Sequence, residues 1–130
     1  SGFLYALETA AQFIGTGAHK NVIVIGVDVM STIIDYTDRK TCIIFGDGGG
    51  AVLMQASPSE SEGCMIDFLN EADGSGGQAL CLPGGGSKNP ASHETVDKKL
   101  HYVYQDGGAV FKFATRKMAE ICVRLMERNG

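Results

Sequence analysis

The chain has 130 residues, a formal net charge of −4 and a hydrophobic content of 44%, which is typical of a folded domain rather than a disordered segment. The acidic balance argues against nucleic acid as a general partner. No apolar run approaches the roughly 20 residues that a membrane-spanning helix requires. We therefore expect one folded domain with a modest core, no nucleic-acid partner and no membrane segment.

The first predicted element is a helix over residues 1–17. Its apolar side chains recur at helical spacing, at Phe3, Leu7, Ala10 and Ile14, with Leu4 and Ala11 widening the stripe. Gly15 and Gly17 predict where the helix ends, because glycine accepts the left-handed backbone common at helix stops. The helix lacks a lead-in and the chain lacks an initiator methionine, so we expect a piece of a larger protein.

Three apolar strands are predicted next. Val22–Val27 is continuously apolar and β-branched, which predicts a strand buried on both faces of a parallel or mixed sheet. Thr41–Phe45 and Ala51–Gln55 are predicted strands, joined by a tight hairpin at Gly46–Gly50. These glycines lack the spacing of the known phosphate-binding motifs and precede a strand rather than a helix. We favour a closely packed hairpin over a phosphate-binding loop, which stays the minor alternative.

The second half of the chain is richer in loops. Residues 57–62 predict an acidic loop, and Cys64–Leu69 predicts a further strand. Periodicity is lost between Ala72 and His93, and a loop this long is usually functional or mobile, so we expect it near the mouth of a site or a partner. The last predicted element is a helix capped by Asp106, with its apolar stripe at Val110, Phe111, Ala114, Met118, Ile121 and Leu125.

The cysteines and histidines supply no catalytic set of their own. The four cysteines, at positions 42, 64, 81 and 122, show neither C-x-x-C nor metal-like spacing. We expect buried, reduced thiols, as suits a reducing cytoplasm. The three histidines, at 19, 93 and 101, have no nucleophile nearby in the sequence and are expected to be solvated. No metal site is expected.

Arg39 is the best candidate for ligand binding. An arginine in a turn is most often part of a surface ion pair. In open α/β sheets, however, the loops at strand ends frame ligand sites. A guanidinium group also suits both phosphates and aromatic rings.

Several motifs in the same order carry a resemblance to a known family. They are SGFLYAL at 1–7, VIVIGV followed by DVM at 22–30, DYTDRKT at 35–41, FGDGGGA at 45–51 and GGAVFK at 107–112. The chain resembles β-ketoacyl-[acyl-carrier-protein] synthase III along its whole length, least well between residues 72 and 104. This implies an α/β, thiolase-like layered fold (αβαβα), present in part. Residues 1–56 would end its N-terminal half and residues 57–130 would begin its C-terminal half.

The resemblance implies an acyltransferase that starts fatty-acid synthesis. In this family a cysteine thiolate takes an acyl group from acyl-CoA, and malonyl-acyl-carrier protein then loses CO2 and attacks the thioester. The cysteine would stand immediately before Ser1, and the catalytic histidine and asparagine after Gly130. We therefore expect no catalytic residue in this chain and no condensing activity from it alone. The implied parent is a cytoplasmic homodimer that uses acyl-CoA as substrate and no cofactor.

The resemblance also implies positions that bind the substrate. Arg39 matches an arginine that packs against the CoA adenine, and Lys40 replaces a glycine of the best-known members. Met30 and Phe45 match positions around the acyl pocket. For both of these apolar side chains an ordinary core position is the alternative.

The start of the last helix supplies the remaining assignments. Gly107 and Phe111 match positions beside the pantetheine tunnel. Lys112 matches a basic residue where acyl-carrier protein docks, and Arg116 lies one turn further on. Ordinary core packing for Phe111 and an ordinary solvated charge for Lys112 are the alternatives. The acyl-chain preference does not follow from these residues.

Three other functions stay open from the sequence alone. The chain could belong to another thiolase-fold enzyme, such as a type III polyketide synthase or a relative of HMG-CoA synthase. It could be a non-catalytic module that binds a nucleotide at Gly46–Gly50. It could also be a structural subunit that has lost the cysteine.

Overall fold

A computed structural model describes residues 2–57 and 64–130. Its helices and strands are, in order, α1 (Gly2–Gly15), β1 (Asn21–Asp28), β2 (Gly48–Gln55), β3 (Leu80–Cys81), α2 (His93–Asp97), β4 (Tyr104–Gln105) and α3 (Gly107–Asn129), with 3₁₀ turns at Ser31–Ile33 and Gly74–Gly76. None of the helices in the described part of the chain is both long and apolar enough to cross a membrane.

The contacts divide the chain into two compact units. Unit 1 comprises Ser1–Asp28, Gly48–Glu71 and Ile121–Gly130, and unit 2 comprises Val29–Asp47 and Ala72–Glu120. Each of these units is made of several segments that alternate along the sequence, whereas the predicted halves at 1–56 and 57–130 are continuous. That partition therefore stays a prediction.

In unit 1, α1 lies against β1 and β2. Ala10 is buried, and Leu7, Ala11 and Ile14 are half-buried, so this part of the apolar stripe predicted for the helix is confirmed. Phe3 and Leu4, at the start of the predicted stripe, are exposed. The helix ends at Gly15. The predicted glycine stop is confirmed as well, because Gly17 has a φ of 74° and its amide donates to a carbonyl oxygen in the last turn at 2.9 Å.

The strand predicted at Val22–Val27 is confirmed as β1, which pairs antiparallel with β2 along its whole length. On the side toward α1, Val24 is 4% exposed, whereas Ile25 on the opposite side is 65% exposed. The prediction of a parallel or mixed sheet with both faces of this strand buried is therefore wrong for this structure. An apolar run alone does not distinguish a strand covered on both faces from one covered on a single face.

The region of the predicted hairpin also differs. Thr41–Ile44 is a turn, in which the Cys42 amide donates to the Asp38 carbonyl oxygen at 3.0 Å. Gly48–Gly50 belongs to β2 and pairs with the end of β1. The predicted strand at Thr41–Phe45 and the hairpin at Gly46–Gly50 are both wrong, because local bonds to Asp38 compete with a strand ladder.

The segment that closes unit 1 is held by side chains rather than by a strand ladder. Cys64–Leu69 has no regular secondary structure, so the strand predicted there is wrong. Asp67 accepts hydrogen bonds from Asn129 at 2.9 Å and from Arg128 at 2.6 Å. The Asn129 bond is the main reason that the pKa of Asp67 is lowered. The acidic loop predicted at 57–62 lies outside the described residues apart from Ser57, and so does residue 1.

The cysteines are not uniformly buried. Cys42 and Cys81 are half-buried, whereas Cys64 and Cys122 are exposed. The prediction of burial is therefore wrong for Cys64 and Cys122. Cys64 begins a described stretch without regular secondary structure, and Cys122 lies on α3 between half-buried positions of its stripe.

The last helix begins as predicted. The Asp106 carboxylate accepts the Ala109 amide at 3.0 Å, which confirms the N-terminal cap of α3. The apolar stripe is only partly covered. Its half-buried members are Val110, Ala114, Ile121 and Leu125. Phe111 is 69% exposed and Met118 is exposed to a similar degree, so their predicted place in the buried stripe is wrong.

Candidate functional site

Every residue assigned to substrate binding by the resemblance lies in unit 2. They are Met30, Arg39, Phe45, Gly107, Phe111, Lys112 and Arg116. Met30 and Phe45 are half-buried, and the others are exposed. Nothing in the structure tests their ligand contacts, so these assignments stay predictions.

The Arg39 turn (residues 35–41) is built by two aspartates that cap the backbone after them. The Asp35 carboxylate accepts the Thr37 amide at 2.9 Å and the Thr37 hydroxyl at 2.6 Å. The Asp38 carboxylate accepts the Lys40 amide at 3.0 Å and the Thr41 hydroxyl at 2.9 Å. Short polar side chains commonly fix turns in this way. Arg39 lies between these two caps with its side chain exposed.

A lysine from elsewhere in unit 2 completes this turn. The Lys99 ammonium donates to the Asp35 carboxylate at 2.8 Å and to the Thr37 hydroxyl at 2.9 Å. The hydrogen bond from Lys99, reinforced by those from Thr37, lowers the pKa of Asp35 from 3.8 to about 2. The same bond raises the pKa of Lys99. Asp35 is therefore ionised at neutral pH and anchors the start of the turn.

A cleft of about 610 Å³ lies beside the turn. Its lining residues are Asp38, Lys40, Ile44, Tyr104, Gln105, Asp106, Gly107 and Gly108. The volume falls within the range of roughly 300–1,000 Å³ common for small-molecule sites. The structure thus brings the two neighbours of Arg39 and the predicted residue Gly107 to one cavity. The other predicted residues are not among those that line it: Arg39 itself, Met30, Phe45, Phe111, Lys112 and Arg116.

Gln105 lines this cleft and carries an unsatisfied hydrogen-bond acceptor. Its side-chain oxygen is buried and has no hydrogen-bond partner among the described residues. An unsatisfied buried polar group costs roughly 1–3 kcal/mol. Sequence reasoning missed Gln105, because its position depends on the pairing of β4 with β3.

Asp47 fixes the position of Met30. Its carboxylate accepts the Ser31 amide and the Ser31 hydroxyl, each at 2.7 Å. These two bonds are the main reason that the pKa of Asp47 is lowered. Met30 is the cap residue of the 3₁₀ turn that starts at Ser31. The aspartate of the FGDGGGA motif therefore organises this turn, a role that could not be read from a predicted hairpin.

The comparison with known proteins decides the family. The model of the 3-oxoacyl-[acyl-carrier-protein] synthase III family matches residues 1–74, which is more than half of the chain. The chain belongs to this family. A β-ketoacyl-[acyl-carrier-protein] synthase III of Solibacter usitatus is 60% identical over 130 residues, which are 99% of this chain and 39% of the relative. The resemblance inferred from the motifs is confirmed.

Solved structures of the synthase III family confirm the fold class. A crystal structure of a 3-oxoacyl-(acyl-carrier-protein) synthase III has a TM-score of 0.86 at 25% identity, over 98% of this chain and 40% of that one. The synthase III of Pseudomonas aeruginosa has a TM-score of 0.80 at 32% identity, over 98% of this chain and 36% of that one. The predicted α/β thiolase-like fold, present in part, is correct. The chain spans about two fifths of the length of the relatives it matches.

Membership of the synthase III family argues against the nucleotide-binding module. Of the glycines proposed for that module, Gly48–Gly50 lie in the β1–β2 ladder rather than in a loop that opens a helix. Gly49 approaches β1 closely, since a Cβ at this position would lie 3.3 Å from the Val27 Cγ2 atom. Tight strand packing therefore explains the glycine at position 49.

The histidines have ordinary structural contacts. His19 packs edge-on against Phe13, with ring centroids 5.5 Å apart, and His93 is exposed. His101 is half-buried, so its predicted full solvation is wrong, and its Nε2 atom lies 2.9 Å from the Thr95 hydroxyl oxygen. The described residues contain no cluster of three or more metal-ligating side chains. The absence of a metal and of a cofactor stays a prediction.

Proposed function

We propose that the protein carrying this chain is a β-ketoacyl-[acyl-carrier-protein] synthase III. It would join an acyl group from acyl-CoA to malonyl-acyl-carrier protein and so start fatty-acid synthesis. The observation that carries the proposal is the cleft in unit 2. The two family motifs assigned to CoA, the Arg39 turn and the start of α3, both supply residues to its lining.

The chemistry of this cleft suits one end of CoA. The exposed guanidinium of Arg39 can stack on an adenine ring, and such contacts favour arginine over lysine. Lys40 adds a positive charge at the lining of the cleft, where the phosphates of CoA would benefit from it. At the start of α3, Gly107 has no side chain and would let pantetheine approach the backbone.

The exposed face of α3 suits the second substrate. Lys112 and Arg116 are four residues apart and therefore lie on the same side of the helix. Both are exposed. We assign this basic face to the docking of acyl-carrier protein. The parent would act as a homodimer in the cytoplasm, where free thiols are stable.

The proposed reaction has two balanced steps. A cysteine thiolate attacks the acyl-CoA thioester, the acyl–sulfur bond to CoA breaks, and CoA leaves as its thiolate. Malonyl-acyl-carrier protein then loses CO2, its carbanion forms a carbon–carbon bond to the acyl group, and the cysteine leaves. None of the four cysteines of this chain is assigned to that role. We expect no condensation product from the 130-residue chain alone.

The first experiment tests the CoA site. We expect Arg39→Ala to weaken CoA binding about tenfold, since a desolvated cation–π contact is worth about 1–2 kcal/mol. Isothermal titration calorimetry with CoA measures this in the full-length protein that contains the chain. Lys20→Ala is the matched control, because it removes one positive charge from an exposed position in unit 1 and should leave the affinity unchanged.

Two outcomes would count against the proposal. One is equal CoA affinity in Arg39→Ala and in the unaltered protein. The other is full-length protein that forms no ketoacyl product from acetyl-CoA and malonyl-acyl-carrier protein. A parallel titration with ATP separates the rival function, because a nucleotide module would bind ATP whether or not Arg39 is present.

A further inference from the structure

The segment after β3 forms a closed loop (residues 83–101) in unit 2. The Gly84 amide donates to the Leu100 carbonyl oxygen at 2.6 Å, which joins the two ends of the loop. Within it, the Asn89 side chain donates to the Pro83 carbonyl oxygen at 2.7 Å. A Cβ atom at Gly84 would lie 3.0 Å from the Leu100 carbonyl group. Only glycine allows this closure without a shift of the backbone.

The closed loop contains a residue with unusual backbone geometry near its end. Lys99 has a φ of 54° and is the only non-glycine with a positive φ in the described part of the chain. The left-handed conformation is unfavourable for a residue with a side chain. Lys99 lies two residues after the end of α2, whose capping box at Ser92 and Thr95 fixes the helix before it. A lysine held in this conformation calls for a compensating interaction.

The Lys99 side chain supplies that interaction. Its ammonium lies 2.8 Å from an Asp35 carboxylate oxygen, and the two side chains are 56% and 16% exposed. The preceding lysine differs, because Lys98 pairs with Glu94 inside α2 at 2.5 Å. Of these two adjacent lysines, Lys99 is the one that contacts the Arg39 turn.

A backbone bond holds the same two segments together. Just after the closed loop, the Val103 amide donates to the Ile33 carbonyl oxygen at 2.9 Å. Ile33 precedes the Arg39 turn by a single residue, the buried Ile34. The turn is therefore attached to the 99–103 segment at Asp35 and at Ile33.

On the basis of the proposed CoA site, we infer that Lys99 is a positioning residue for CoA recognition. Through Asp35 and Thr37 it holds the Arg39 turn in one conformation, so that the guanidinium is placed for the adenine before CoA arrives. Holding a site in its bound conformation raises affinity by removing an ordering cost. Arg39 touches the ligand, and Lys99 acts through the turn.

The test compares the two adjacent lysines in the full-length protein. We expect Lys99→Met to raise the Kd for CoA about fivefold, because the turn loses its ion pair with the 99–103 segment. Lys98→Met removes the same charge one residue away and should leave the Kd unchanged. Lys99→Arg should restore most of the affinity, since a guanidinium can still pair with Asp35.

Two further measurements separate positioning from general stability. Lys99→Gly removes the side chain but relieves the left-handed backbone, so we expect its Tm to be at least that of Lys99→Met while its Kd for CoA stays raised. Hydrogen–deuterium exchange of residues 35–41, measured without CoA, should be faster in Lys99→Met and in Lys99→Gly than in Lys98→Met.

The outcomes distinguish the positioning role from the proposed function. Equal exchange of residues 35–41 in Lys99→Met and Lys98→Met would overturn the positioning role, and so would an unchanged Kd for CoA. Should the unaltered protein fail to bind CoA, the proposed function falls and the positioning role falls with it. The exchange data would then still show whether Lys99 holds the turn.

Discussion

Units 1 and 2 reach a defined conformation by different means. In unit 1, a helix packs on an antiparallel ribbon and buries Ala10 and Val24, while the backbone ladder satisfies the strands. In unit 2, short polar side chains cap one turn after another, as at Asp35, Asp38 and Asp47. All the residues assigned to substrate binding lie in the second kind of structure. Apolar packing forms the scaffold of unit 1, and polar capping shapes the candidate site.

Apolar packing and polar capping differ in how much one side chain contributes to the free energy of unfolding. Full burial of a Val or Leu side chain is worth about 1.5–3 kcal/mol, whereas one hydrogen bond contributes a net of about 0.5–1.5 kcal/mol. Unit 1 should therefore be sensitive to single substitutions in its small core. Unit 2 should lose its geometry gradually, one cap at a time.

The sharpest test of this comparison is a charge placed on either side of β1. Val24→Asp buries an unpaired carboxylate and should lower the free energy of unfolding by about 3–5 kcal/mol. Ile25→Asp, one residue further on and 65% exposed, should lower it by about 1 kcal/mol or less. Urea denaturation of the chain measures both. Similar losses of unfolding free energy in the two variants would show that β1 is covered on both of its faces.

The next test concerns the closure of the loop in unit 2. Gly84→Ala places a methyl group 3.0 Å from the Leu100 backbone, and we expect a loss of about 1–3 kcal/mol from such overpacking. Gly46→Ala, where a Cβ would meet nothing within 4 Å, is the control and should change stability by about 0.5 kcal/mol or less. Thermal denaturation followed by circular dichroism gives both values. Equal Tm values would contradict the close approach at Gly84.

The smallest effect concerns the pH dependence of unit 2. Because the Lys99 bond lowers the pKa of Asp35 to about 2, the ionised carboxylate stabilises the folded state above pH 4. This contribution is lost as the pH falls through about 2. Asp35→Asn should therefore flatten the decline in unfolding free energy between pH 4 and pH 2. Asp97→Asn, at an exposed position on α2, should retain the decline of the unaltered protein, and equal slopes in both variants would contradict the assignment.

Elements with one strong local signal were predictable from the sequence. The stripe of α1, the glycine stop at Gly17 and the Asp106 cap of α3 each depend on residues within a turn or two of one another. The motifs around Arg39 and Gly107 also led to the correct family. Local patterns and co-linear motifs thus fixed the ends of the helices and the fold class.

What failed depended on contacts that composition does not reveal, whether these are local or distant in the sequence. The Thr41–Phe45 run has the composition of a strand, yet Asp38 captures its backbone and hydroxyl groups and turns it. The exposed face of β1 could not be recognised, because apolarity does not report which face is covered. The contact of Lys99 with Asp35 spans 64 residues, and no short pattern marks it.

The bond between Gly84 and Leu100 has a consequence for comparing family members. Because this bond joins the two ends of the loop, residues between them can be gained or lost while Lys99 stays in place. The entropic cost of closing a loop rises by only about 0.6 kcal/mol for each doubling of its length. Related chains whose loops differ in length are therefore compatible with the same contact between the lysine and the turn. A glycine at the position of Gly84 is the better marker of that shared geometry.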